Sequence, residues 1–214
     1  MIANNNQSSV DPIKLGKVVW PHVDFYEKQR EIIYSVRDNA ETFVPAGNEL
    51  GKDFVAGFIA LGAFMFPNVF LRSPEEGWLD TNEVRILTTS VKDSHLKVLW
   101  GEIGRFIQQA NIAMKIEEGG QLVVLQRDIY KVNKKGVRDE ISYLHGGVSQ
   151  KGEGMAGHHA PHTLLIIDEA SGVEDVVFTQ GQTWAGRILV IGNPNPTQNF
   201  FFQNVKAGDM LKDA

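Results

Sequence analysis

Apolar residues recur along this chain in two different rhythms. Leu164-Leu-Ile-Ile167 and Ile188-Leu-Val-Ile191 are unbroken apolar runs, the pattern of strands covered on both faces. Glu41-Thr-Phe-Val44 and Val84-Arg-Ile-Leu-Thr-Thr89 read as two further strands. Between them the period changes to that of a helix. Ile32, Ile33 and Val36 lie on one face of a helix that opens at Asp24-Phe-Tyr-Glu27, an N-cap with a carboxylate three residues on, and runs to about Asn39. Leu96, Leu99, Trp100, Ile103, Phe106 and Ile107 form a second stripe, which marks core. Phe54-Val-Ala-Gly-Phe-Ile-Ala-Leu61 is apolar on all sides and belongs to a buried helix over 52–66.

The remaining segments punctuate this pattern. Residues 1–16 are polar and aperiodic and read as a mobile arm, residues 67–83 as a loop, and Gly146 to Gly157 as a flexible Gly-rich loop. Residues 121–144 alternate as strands around a hairpin turn at Asn133-Lys-Lys-Gly136, and a short helix follows Ser171. Strands alternating with helices predict an α/β fold over 17–214. Its central sheet is mostly parallel and flanked by helices on both faces.

Three strings carry candidate chemistry. Ala46-Gly-Asn-Glu-Leu-Gly-Lys-Asp53 nearly matches the phosphate-cradling loop G-x-x-x-x-G-K-[S/T], set between a strand and a helix. Gly47 and Gly51 let the backbone curl so that successive N–H groups from Ala46 through Asn48, Glu49 and Leu50 point at phosphates, and the helix N-terminus adds its positive end. Lys52 is placed for the β- and γ-phosphates. Two positions depart from the pattern: Ala46 replaces the first Gly, and Asp53 replaces the hydroxyl residue that normally holds Mg²⁺. The second string ends a buried strand with Asp168-Glu169, where a parallel sheet places ligand-binding residues. Asp168 suits a Mg²⁺ shell and Glu169 an attacking water. The third ends in Gly192-Asn-Pro194. Together they imply a nucleoside triphosphatase with ATP and Mg²⁺ as its ligands. Asp53 is expected either to ligate the metal or to turn outward.

Composition narrows the class. With 214 residues, 43% hydrophobic, the chain can bury a sizeable core. It has no Cys, which excludes disulfides and thiolate metal sites. The absence of a long apolar run or a signal-like N-terminus predicts a soluble intracellular protein with no membrane association. A net charge of −5 argues against a broadly basic nucleic-acid binder. His158, His159 and His162 cannot share a helix face, because Pro161 and the Gly-rich lead-in break any helix. A hinge or backbone-capping role is expected of them.

Gly157-His-His-Ala-Pro-His-Thr-Leu-Leu-Ile-Ile-Asp-Glu-Ala-Ser171 resembles the Walker B region of the large terminase subunit of tailed bacteriophages, the motor that packages DNA into procapsids. Val84-Arg-Ile-Leu-Thr-Thr-Ser90 with Val98-Leu-Trp-Gly-Glu-Ile103 is similar to that family's second strand and following helix. Phe25-Tyr26 with Gln29 looks like its adenine-binding segment, and Gly192-Asn-Pro194 like its coupling motif. The resemblance covers most of the chain.

It implies a P-loop NTPase of the ASCE, RecA-like type that hydrolyses ATP to drive double-stranded DNA into a procapsid. Gln29 would contact adenine with Phe25 or Tyr26 on the base, and Lys52 would hold the phosphates. Asp168 would hold Mg²⁺, Glu169 would activate water and Asn193 would couple hydrolysis to movement. The implied partners are double-stranded DNA, the portal protein and the small terminase subunit. Further copies of the chain would form a ring, a pentamer, on the procapsid in the host cytoplasm, with a monomer in isolation. Because the chain ends at Ala214, it reads as the ATPase half without the family's nuclease domain. Lys151 is the only Lys or Arg between Asp139 and Asp168, so Arg105, Arg127 and Arg138 are candidates for a cation acting on a neighbouring subunit. Two other readings stay open: a helicase-like or repair ATPase, and a nucleotide-gated assembly module with little turnover.

Overall fold

The computed structural model describes residues 10–45, 51–133, 135–149, 157–193 and 198–212. Seven strands form one sheet in the order β1-β7-β6-β2-β5-β4-β3. They are β1 (Glu41–Pro45), β2 (Val84–Ser90), β3 (Leu122–Val124), β4 (Asp128–Val132), β5 (Arg138–Gly146), β6 (His162–Asp168) and β7 (Arg187–Gly192). From β1 to β5 all neighbours run parallel. β5, β4 and β3 close the other side as an antiparallel meander. At the β4–β5 turn the Asn133 side chain accepts the N–H groups of Lys135 and Val137, and Gly136 takes a positive φ of 74°.

The apolar runs explain where the sheet sits. Every residue of β6 and of β7 is buried, as expected of strands covered on both faces. Alternate side chains feed two cores. Leu164, Ile166, Leu189 and Ile191 face the larger one with α2 (Glu27–Asp38), α3 (Lys52–Met65) and α5 (Asp93–Gln109). Leu165, Ile167, Ile188 and Val190 face the smaller one with α6 (Asp175–Gln182) and α7 (Phe200–Lys212). The helix α3 is apolar all round because it lies between the sheet and α5, and Gly57 lets it approach closely. A Cβ there would lie 2.9 Å from the Glu102 Cβ. A short helix, α4 (Pro67–Phe70), follows it in the segment expected to be loop.

Three further features differ from the sequence reading, each for a tertiary reason. Within the expected N-terminal arm, Pro12–Val19 forms a helix, α1. Asp11 caps it by accepting the N–H groups of Ile13 and Lys14 at 2.8 and 2.9 Å, and Gly16 lies directly against the Phe58 ring. Asp24 does not cap α2, because Lys17 engages it in an ion pair; α2 begins at Glu27, with Tyr26 in the capping position. Finally, α7 closes the smaller core by stacking Phe200 on Phe178, centroids 4.6 Å apart. None of the described helices is long and apolar enough to cross a membrane.

Candidate functional site

The topology brings two distant strand ends to one place. β7 lies between β1 and β6, so the end of β1 at Pro45 and the Asp168-Glu169 pair lie at the same sheet edge with one strand between them. Residues 46–50, which contain Ala46, Gly47, Asn48, Glu49 and Leu50, lie outside the described residues. The end of that loop is described. Gly51 is the left-handed N-cap of α3, with φ 59°, and a Cβ there would sit 3.2 Å from the Gln29 Nε2 and 3.6 Å from the Tyr26 hydroxyl. Glycine is therefore required both for the turn and for space. Gly51 offers no side chain to cap α3, whose N-terminus lies at the mouth of the site.

Lys52, the first residue of α3, is only 6% exposed. Its ammonium forms an ion pair with Glu169 and lies 3.9 Å from the Asp168 Oδ1. Glu169 is the one described non-glycine residue with positive φ, 51°, where the chain leaves β6 and turns sharply into the 3₁₀ turn Ala170–Gly172. Backbone strain of this kind costs about 1–3 kcal/mol and accumulates at functional sites. Asp168 is 3% exposed, and its Oδ1 has no hydrogen-bond partner among the described residues. Burial raises its pKa to about 7; the charge of Asp53 pushes the same way and Lys52 opposes both. Burial likewise raises the Asp53 pKa, offset by Lys52 and reinforced by Glu169. Asp168 and Glu169 thus share the Lys52 ammonium, with the charge of Asp53 felt at Asp168 as well.

The donor set fits Mg²⁺ carried in by a polyphosphate. Among the described residues no group of three or more His, Cys, Asp or Glu side chains is arranged to hold a metal on its own. Mg²⁺ typically uses one or two protein carboxylates and takes its other ligands from phosphates and water. Asp168 and Asp53 would meet that need; Lys52, Glu169 and His95 are the charges that act on Asp53.

The remaining candidates separate. Gln29 is buried, with its amide beside Gly51, so α2 braces the end of the loop. Tyr26 is exposed, whereas Phe25 packs in the core against Phe58 and Phe54, 4.6 and 5.7 Å between centroids. An open cavity of about 540 Å³, lined by Phe25, Tyr26, Glu27, Arg30, Glu31 and Tyr34, adjoins them. Asn193 is half-buried just past β7, whose Gly192 pairs with Pro45. Pro194 and Lys151 lie outside the described residues. Arg105 pairs with Glu102, Arg127 lies 2.5 Å from Asp93, and Arg138 covers the Tyr130 ring at 4.2 Å.

The histidines diverge. His162 lies 3.1 Å from the Thr81 carbonyl oxygen, while His158 meets the Tyr143 hydroxyl and the Trp184 ring.

Two polar residues on the flank of the site were not singled out from sequence. Ser90, at the end of β2, pairs in register with Asp168 and is fully buried; His95, in the first turn of α5, acts electrostatically on Asp53. The available signal was the polar ending Thr88-Thr89-Ser90 on an otherwise apolar strand.

No protein-family model matches the chain. Over 56 residues it is 43% identical to the probable terminase large subunit of Enterobacteria phage P7, a stretch that is 24% of this chain and 11% of that protein. The large terminase ATPase domain of Thermus phage P74-26 superposes with a TM-score of 0.62 at 14% identity, covering 91% of this chain and 74% of that one. The large terminase of bacteriophage HK97 does so with a TM-score of 0.52 at 11% identity, covering 92% of this chain and 39% of that one. The chain therefore has the fold of phage large-terminase ATPase domains, in agreement with the resemblance carried by its motifs.

Proposed function

We propose that this chain is the ATP-hydrolysing module of a large terminase, coupling hydrolysis to translocation of double-stranded DNA into a procapsid. The observation that supports it is the convergence of Lys52, Asp53, Asp168 and Glu169 beneath the uncapped N-terminus of α3.

Lys52 is engaged by Glu169. A γ-phosphate offers Lys52 a more highly charged partner, so ATP draws the ammonium away and frees the carboxylate. Glu169 then accepts a proton from a water whose oxygen bonds to the γ-phosphorus as the bond to the β–γ bridging oxygen breaks, giving ADP and inorganic phosphate. Asp168 and Asp53 would hold Mg²⁺, which neutralises phosphate charge as a Lewis acid. Asn193, beside the phosphate-loop strand through the Pro45–Gly192 pairing, would report the γ-phosphate to the rest of the chain. The partners of this reading are double-stranded DNA, the portal protein, the small terminase subunit and further copies of the chain in a ring on the procapsid.

Asp53 favours one second reading, a nucleotide-gated assembly module with little turnover, because a carboxylate replaces the hydroxyl usual in such loops. ATP binding and turnover, measured with Mg²⁺ on the parental chain and on Lys52→Ala, test the proposal. Parental binding that Lys52→Ala abolishes is expected. No binding by the parental chain would sink both readings, and binding without turnover in the presence of procapsids and DNA would favour the module.

A further inference from the structure

Three consecutive hydroxyl residues end β2, and their fates differ. Thr88 Oγ1 accepts the Trp100 indole N–H at 2.9 Å, and Thr89 Oγ1 accepts the Ser149 N–H at 3.1 Å. Ser90 Oγ, in a residue that is 0% exposed, has no hydrogen-bond partner among the described residues. A buried hydroxyl left in that state costs stability, so such groups are rare unless a ligand completes them.

Register fixes where this hydroxyl sits. Ser90 and Asp168 are Cα partners in the parallel β2–β6 pair, so their side chains leave the sheet on the same face. Ile86 and Leu164 identify that face as the one beneath α3 and α5. It is also the face toward which α3 delivers Lys52 and Asp53. Two oxygens without a hydrogen-bond partner among the described residues, the Ser90 Oγ and the Asp168 Oδ1, therefore stand on neighbouring strands at the sheet edge.

We propose that Ser90 is a ligand of the nucleotide's Mg²⁺, supplying from β2 the neutral oxygen that the phosphate loop lacks because position 53 is Asp. Asp53 and Asp168 provide charge, and the hydroxyl adds a donor without adding a third negative group. This keeps the protein's contribution within what Mg²⁺ accepts beside phosphates and water. The inference rests on the nucleotide-binding reading above.

Binding of a fluorescent ATP analogue, titrated with Mg²⁺ and separately in chelator, tests it on the parental chain, Ser90→Ala, Asp53→Ser and the double variant. Ser90→Ala is expected to need roughly 10–100-fold more Mg²⁺ for half-saturation. Its binding in chelator and its apo melting temperature should not fall, since an unpartnered hydroxyl contributes nothing to the empty fold. Asp53→Ser should restore the Mg²⁺ dependence in the double variant by returning a hydroxyl to the loop. Ser90→Cys should respond to Cd²⁺ in a way neither the parental chain nor Ser90→Ala does, because thiolate favours the softer ion. An unchanged Mg²⁺ dependence in Ser90→Ala overturns the role of Ser90 alone. A parental chain that binds no nucleotide overturns the underlying reading as well.

Discussion

Lys52 and Glu169, 117 positions apart in sequence, form an ion pair at the junction of α3 and the end of β6. The pair holds the two groups that a bound triphosphate would have to separate. Removing the carboxylate charge should therefore affect binding and chemistry in opposite directions.

For Glu169→Gln, ATP affinity should be equal to or tighter than parental, because Lys52 loses its competing partner. Turnover should fall by about 10²–10⁴-fold, the usual cost of losing a positioned base. Equilibrium binding and single-turnover hydrolysis on the same preparation separate the two effects. Hydrolysis at the parental rate would remove Glu169 from the chemistry.

The buried carboxyl of Asp168 gives the empty protein a pH signature. Its folded-state pKa of about 7 lies above the ordinary unfolded value of about 3.9. Between those values the folded form binds more protons than the unfolded form, so stability falls as pH rises through that window and levels off above it. The slope for one such group is at most about 1.4 kcal/mol per pH unit. Asp53, also raised by burial, acts with the same sign. Urea unfolding across about pH 5 to 8 should show the decline in the parental chain and a shallower one in Asp168→Asn. An identical slope in the variant would exclude Asp168 as its source.

Gly51→Ala places a side chain on left-handed backbone at the junction of loop and helix, and its Cβ would meet the Gln29 amide at 3.2 Å. The conformational penalty alone is roughly 1–2 kcal/mol. Denaturant midpoints should shift accordingly, and nucleotide binding should weaken because α3 can no longer start where the phosphates require. Full stability with full binding would show that the loop tolerates another path.

Much of this arrangement was legible in the residues. The unbroken apolar runs of β6 and β7 and the stripe from Leu96 to Ile107 follow from periodicity, because burial on both faces or on one leaves distinct patterns. Strand ends in a parallel sheet share one edge, and Lys52 meets Asp168 and Glu169 there. What escaped depends on partners distant in sequence. An eight-residue helix such as α1 has little periodicity to display, and it is held by Asp11 and by the contact of Gly16 with Phe58. The start of α2 moved because Lys17 claims Asp24. Phe25 had two environments open to it, core and adenine pocket, and only packing against Phe58 places its ring in the first. Ser90 carried no motif; its interest comes from an empty hydrogen-bond position that no linear pattern records.

The position of β1 also sets the order in which the molecule can be born. β1 hydrogen-bonds to a single strand, β7, pairing Glu41–Pro45 with Ile188–Gly192. During synthesis the residues that flank the phosphate loop leave the ribosome early, yet their strand has nothing to pair with until residue 192 has emerged. Loop-closure entropy over that separation has to be met before the pairing returns any energy. The nucleotide-binding edge therefore cannot be completed before residue 192 has been made, however early the flanks of the phosphate loop emerge.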